Sequence, residues 1–281
     1  VLASLLPGIR ELRAPLVTGY IYLLALLLLY GNKVPTNVAA DSPLKLPYDL
    51  VGWLGKPTAI AVSTFVAYLV GSVLEVHAAT VSRSFRKIRS HSKLFKKRRH
   101  SLLPGDERGL KWLAPELTPA SVNALGRYIV ERVRGKLSIS YDTDLKAEGF
   151  KFFLQDLPQL HTRLYGANKD LYGDYDRLAA EADLKVNVGI SGNVLSGVAG
   201  VVVHPLWAIL CGPMLVLFYR GLSSDRQAND ILVQSVVTDI VKSPKLEGYI
   251  DEAASHFRET EEIRTARRMG SDHTSHDDDE R

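Results

Sequence analysis

From Val186 to Tyr219 the chain carries no Asp, Glu, Lys or Arg, and its one imidazole there, His204, stands beside Pro205 near the middle. Wound as one straight helix, this stretch would be about 50 Å long, against a bilayer core of about 30 Å. The expectation is therefore two passes joined at His204-Pro205, a hairpin in a membrane over residues 184–221.

The rest of the 281 residues agrees with that solvent. Mean hydropathy is -0.01 although 23% of residues are charged, because apolar residues gather in a few long runs. Leu16 to Tyr30 is the expected first span, with six leucines between Leu23 and Leu29. It is short, about 22 Å, but Arg13 can snorkel and Tyr20, Tyr22 and Tyr30 suit interfacial depths. Residues 1–15 read as an amphipathic segment on the membrane surface. They lack the features of a removable signal peptide, so none is expected there. Four prolines make residues 31–57 a loop, and a second span is expected from Pro57 to Thr80. On that span Thr64, Tyr68, Gly71, Ser72 and Glu75 share one face, for protein or water. Ile60, Phe65, Val66, Leu69, Val73 and Val76 form the other, for lipid.

A basic block follows: Arg83, Arg86, Lys87, Arg89, Lys93, Lys96, Lys97, Arg98 and Arg99, with no acidic residue among them. The preceding loop offers only Lys33, Lys45 and Lys56. The positive-inside rule then puts the block, and both termini, in the cytoplasm. The net charge of +4 excludes a uniformly basic surface, so the message is local. Cys211 is the only cysteine, which excludes an intramolecular disulfide.

The expected fold is an all-α, multi-pass integral membrane protein with about four transmembrane helices in a bacterial inner membrane. Its parts are an N-terminal segment (1–15), two spans with an outer loop (16–81), a basic juxtamembrane segment (82–100), a helical cytoplasmic insert (101–183), the hairpin (184–221), cytoplasmic C-terminal helices (222–268) and a disordered tail (269–281). In the insert, Thr118-Pro119 starts a helix with Val122, Leu125, Ile129 and Val133 on one face. Asp144 to Leu157 is a second helix, with Phe150, Phe153, Leu154 and Leu157 on one face and Pro158 interrupting it. A third helix from Asn168 runs straight into the hairpin. Leu137 to Tyr141 could pair as a short strand. Ser224 with Gln227 reads as a capping box opening a helix with Leu232, Val233, Val236, Val237 and Ile240 on its apolar face. Ser243-Pro244 opens another, reaching about Arg268.

The hairpin's first half mixes Gly189, Gly192, Gly197 and Gly200 with Asn187, Ser191, Asn193 and Ser196. Small residues let helix backbones approach, and amides bridge helices. Packing is the plain reading and a pore lining the sharper one. The residues at stake for either are Thr64, Tyr68, Ser72, Glu75, Asn187, Gly189, Asn193, Ser196 and Gly200. Glu75 and His77 are ionisable groups at membrane depth, with the headgroup region as the plain reading. His204 is expected to cap or turn the chain. Gly212 and Pro213 are expected to kink the fourth span, as architecture or as a hinge. The nine basic residues suit anionic lipid headgroups, each worth on the order of 1 kcal/mol, and Ser82, Ser84, Ser90 and Ser92 could tune that attraction if modified. No nucleic-acid module accompanies them. His273, His276 and Asp277 to Asp279 lack the scaffold of a metal site. No GxSxG, HExxH, Walker loop or CxxC pair is present. No catalytic residue, metal or cofactor is therefore expected. The expected partners are anionic membrane lipids, further copies of the chain and a cytoplasmic protein, but not nucleic acid. The expected function is non-enzymatic: anchoring or regulating a cytoplasmic helical assembly at the plasma membrane. The rival is an oligomeric ion channel or small-solute transporter using the polar faces of the second and third spans.

Overall fold

The computed structural model describes residues 7–31, 45–91, 114, 116–134, 143–256, 259 and 263, and among them all regular structure is helical. In order these are α1 (Pro7–Tyr30), α2 (Lys45–Leu74), α3 (Ala78–His91), α4 (Pro119–Arg134), α5 (Thr143–Ala167), α6 (Lys169–Val202), a 3-10 turn (Pro205–Leu210), α7 (Cys211–Val237) and α8 (244–256). The expected strand at Leu137 to Tyr141, the basic residues Lys93 and Lys96 to Arg99, and the tail lie outside the described residues. The chain divides into two compact units, Val1–Ser84 with Asp176–Ala228 and Phe85–Tyr175 with Asn229–Arg281.

Among the described residues three stretches are long and apolar enough to cross a membrane: Leu12–Tyr30, Pro57–Ser84 and Pro205–Val237. The expected third span, the uncharged half of α6, is not among them, because its glycines, asparagines and serines dilute its hydropathy. Several expected boundaries also move. α1 runs unbroken from Pro7 through Pro15, so the surface segment and the first span are one helix. α2 begins at Lys45 within the expected loop, with Pro47 in its first turn where no helical N–H is needed. It is interrupted at Gly55, whose φ of 74° suits glycine, before Pro57 restarts it.

The helix pairs of this unit are set by backbone approach. A Cβ added to Gly19 would fall on the Ala67 carbonyl, and one added to Gly71 would fall on the Pro15 carbonyl. This contact packs α1 against α2 at the position of its internal proline. Across the hairpin, a Cβ on Gly189 would lie 2.8 Å from the Phe218 nitrogen, and one on Gly221 2.9 Å from the Val186 nitrogen. At the turn, His204 Nδ1 accepts the Leu206 N–H at 3.2 Å, so this side chain caps the 3-10 segment. Gly212 and Pro213 fall in the first turn of α7. The expected mid-span kink is replaced there by a change of helix type at Cys211, where proline removes no α-helical hydrogen bond. Ser224, expected to open a helix, lies inside α7, which continues to Val237.

The second unit has a conventional core. The α4 stripe Val122, Leu125, Ile129 and Val133 is buried, and so are Phe150, Phe153, Leu160 and Leu164 of α5. Leu232, Val233 and Val236 at the end of α7 and Leu246 and Ile250 of α8 join them in one cluster. Pro158 lies inside α5 without ending it; burial of Phe153 before it and Leu160 after it holds both halves on the same core. Ile240, assigned by periodicity to the α7 face, is exposed, because the helix stops at Val237. There Asp239 takes φ 57°, and its carboxylate binds the Tyr128 hydroxyl at 3.2 Å and the Arg132 guanidinium. Asp156, itself buried, accepts the Ser243 hydroxyl at 2.7 Å and Arg163 at 2.8 Å, which ties the start of α8 to α5.

Phe153→Ala should lower the free energy of unfolding by about 3–5 kcal/mol, whereas Ile240→Ala should change it by less than about 1 kcal/mol. Urea denaturation of the full chain followed by circular dichroism reads both values.

Candidate functional site

The described residues with the densest interhelical polar bonding surround a break in the expected second span. From Ser72 to His91 the sequence contains no glycine or proline, so local propensity dictates a continuous helix. Instead α2 stops at Leu74, residues 75–77 are not helical, and α3 starts at Ala78. Three backbone groups at this break find partners on α6, and a fourth finds them locally. Asn187 of α6 approaches Val76 as a second peptide would: its Oδ1 accepts the Val76 N–H at 2.9 Å and its Nδ2 donates to the Val76 carbonyl at 3.0 Å. The second Nδ2 hydrogen goes to the Asp183 carbonyl at 2.8 Å. With 2% exposure, Asn187 uses both amide hydrogens in a site where an unbonded amide would be costly.

One turn earlier on α6, Asp183 Oδ1 accepts the N–H of Ala78, the first residue of α3, at 2.7 Å. A carboxylate at a helix N-terminus is also favoured by the helix dipole. The His77 carbonyl closes the first turn by accepting from Thr80 and Val81. Further along, the Ser82 hydroxyl donates to Asp225 Oδ2 at 2.8 Å, and on α6 Lys185 donates to Ser224 Oγ of α7 at 3.1 Å while pairing with Glu181 at 2.6 Å. Ala78, Ala182, Val186 and Leu222 pack beneath these polar contacts.

Burial pushes the Asp183 carboxyl above the ordinary carboxylate range; the Ala78 N–H and the nearby His77 pull it back down. The sign of the linkage follows. The folded chain holds a proton on Asp183 more readily than the unfolded chain does. Its stabilising contribution is complete below the unfolded value, about pH 4, and is lost as pH rises through the raised folded value.

The residues singled out from the sequence fall at several different helix contacts. Thr64 is half-buried and hydrogen-bonds Tyr20 of α1, its hydroxyl also donating to the Ile60 carbonyl at 2.8 Å. Tyr68 is half-buried; Ser72 is exposed and donates to the Leu69 carbonyl. Glu75 is half-buried in the break itself. Gly189 faces Phe218, and Gly200 faces Ala208 of the turn. Asn193 donates to the Gly189 carbonyl and buried Ser196 to the Gly192 carbonyl, each at 2.7 Å. Arg83 is exposed on α3, and the backbone of Arg86, Lys87 and Arg89 continues that helix.

Sequence reasoning did not single out Asp183, Asp225, Gly19 or Ala67. The Pro15/Gly19 and Ala67/Gly71 pairs, each four residues apart, were the available signal. Among the described residues no group of three or more His, Cys, Asp or Glu is placed to hold a metal ion. The arrangement caps, braces and orients a helix joint.

Asp183→Asn keeps an oxygen for the Ala78 N–H and removes the titration. The melting temperature of this variant relative to the wild type should therefore climb as pH is raised from about 4 to 8. Paired thermal melts in detergent across that range measure it, and a constant difference would contradict the buried carboxylate.

The chain matches no protein-family model, no curated protein and no solved structure, so its own geometry is the ground for any functional reading.

Proposed function

We propose that this chain is a non-enzymatic membrane anchor for a helical cytoplasmic assembly. In this reading α1, the lower part of α2, the uncharged half of α6 and the apolar half of α7 make four passes through a bacterial inner membrane, with both termini cytoplasmic. The α4, α5 and α8 region serves as the cytoplasmic scaffold, and the basic residues of α3 and beyond engage anionic headgroups.

The observation that carries the reading is a contrast in exposed apolar surface. In the first unit Leu27, Ile60, Phe65, Val73, Val201 and Ile209 are 60–89% exposed. In the second unit, the large hydrophobics exposed among the described residues are Tyr165, Ile240 and Ile263. Many exposed large apolar side chains on one unit and a filled core in the other fit two solvents, lipid and water. Leu206 and Trp207 at the hairpin turn are exposed as well, which suits an interfacial tip. α6 is too polar to stand in lipid alone, but its close contact with α7 through Gly189 and Gly192 covers one side of it with protein.

The channel reading requires polar side chains turned to a water path. Ser191, Asn193 and Ser196 instead donate to carbonyls of their own helix, and Asn187 bonds Val76. That distribution favours an anchor over a pore.

In cells expressing a chain without its native cysteine, Lys45→Cys should react with an impermeant thiol reagent and Phe95→Cys should not; the reverse pattern would invert the topology. Liposomes carrying the protein should show no ion flux. Flux that responds to Asn193→Leu or Glu75→Gln would replace the anchor with a channel.

A further inference from the structure

The break at residues 75–77 has a cause outside its own sequence. Ser72 to His91 contains no helix breaker, and α2 from Pro57 onward and α3 are each helical up to the interruption. What favours the interrupted form is on α6: the Asn187 amide on both polar groups of Val76, at 2.9 and 3.0 Å, and the Asp183 carboxylate on the Ala78 N–H, at 2.7 Å. In an uninterrupted helix the Val76 and Ala78 N–H groups would bond the carbonyls of Ser72 and Leu74. The two arrangements satisfy the same backbone donors with different acceptors, one set local and one supplied by α6.

We propose that residues 72–80 form a two-state joint, in which Asn187 and Asp183 act as a clasp that selects the broken helix and whose release joins α2 and α3 into one continuous helix. Asn187 and Asp183 are positioning residues; they set where α2 gives way and α3 starts. A rotation about this joint would re-aim Arg83, the exposed cation of α3 next to it. The inference concerns the joint alone and stands apart from the anchoring reading, because its test reads a distance within one segment.

Three features fit a joint in place of a rigid bend. Each bond of the clasp is between elements more than a hundred residues apart in sequence, so a small displacement of α6 removes all of them together. Val76 and His77 are mediocre helix formers, not prohibited ones, so nothing in their side chains forbids the uninterrupted state. The Ser82 hydroxyl on Asp225 is a further side-chain bond of the broken arrangement, formed again with a distant element, so it is given up with the clasp when α3 moves.

Spin labels at Val66 and Ser84, both exposed, test the proposal by pulsed electron resonance distances in a chain whose Cys211 is replaced by alanine. The two sites are eighteen residues apart, five full turns, so an uninterrupted helix puts them on one face with their Cα atoms about 27 Å apart. The clasped chain should show a distance distribution distinct from that of an uninterrupted helix. The double variant Asn187→Leu/Asp183→Leu should move the distribution to the uninterrupted value. Val76→Ala/His77→Ala leaves the clasp intact and favours helix by propensity, and should raise the uninterrupted population several-fold. It also reads the joint if the double variant fails to fold. A clasped chain already at the uninterrupted distance, or a folded variant of either kind that keeps the clasped distribution, overturns the two-state joint.

Discussion

A backbone amide removed from water must bond to something, and away from solvent that requirement is nearly absolute. The first unit is organised by it. Where α2 ends at Leu74 the chain gives up local helical bonds in a region packed against α6 and α7. A single asparagine side chain has the donor and acceptor spacing of a peptide group, and Asn187 uses it to take both polar groups of Val76. Asp183, four residues before it and so on the same face of α6, takes the Ala78 N–H at the start of α3. Two side chains one turn apart thus define where the basic helix begins.

That economy works only if the helices lie close, and glycine provides the approach. Gly189 and Gly221 bring the two arms of the hairpin to backbone contact, and Gly19 and Gly71 do the same for α1 and α2. A side chain at any of these positions would meet backbone or Cβ atoms, which cannot swing aside. The same closeness explains how Pro15 survives inside α1: its carbonyl is pressed against Gly71, and the lost helical bond is offset by packing along the pair. Ser191, Asn193 and Ser196 complete the pattern by bonding carbonyls of their own helix, which removes polar groups from contact with apolar neighbours.

What was legible in the sequence was what periodicity and solvent transfer determine. The stripe Val122, Leu125, Ile129 and Val133 is buried as its spacing requires, and the apolar runs near residues 16–30, 57–80 and 205–221 lie in stretches long and apolar enough to cross a membrane. What was not legible depends on contacts from distant parts of the chain. Nothing between Ser72 and His91 announces an interruption, since its acceptors are a hundred residues away. Pro158 and Pro213 were weighed as interior breaks, yet one is carried through by core burial and the other sits in a first turn. Ser224 with Gln227 has the letters of a capping box inside an uninterrupted helix, where Ser224 serves as an acceptor for Lys185. Asn187 was visible as a polar residue in an apolar run, but the sequence left its partner open between pore water, another copy and another helix.

The distinction between anchor and channel reduces to where polar atoms find their partners. A pore lining must leave some of its donors and acceptors free to face water, and a helix that packs against protein must use them internally. Asn187 sits at the second limit, with both amide hydrogens and its oxygen engaged at 2% exposure. Opening a water path along that face of α6 would first have to undo the bonds that hold Val76. One of the residues considered for a pore lining is thus also the one that most directly shapes the break, and its engagement there weighs against its service in a conduit.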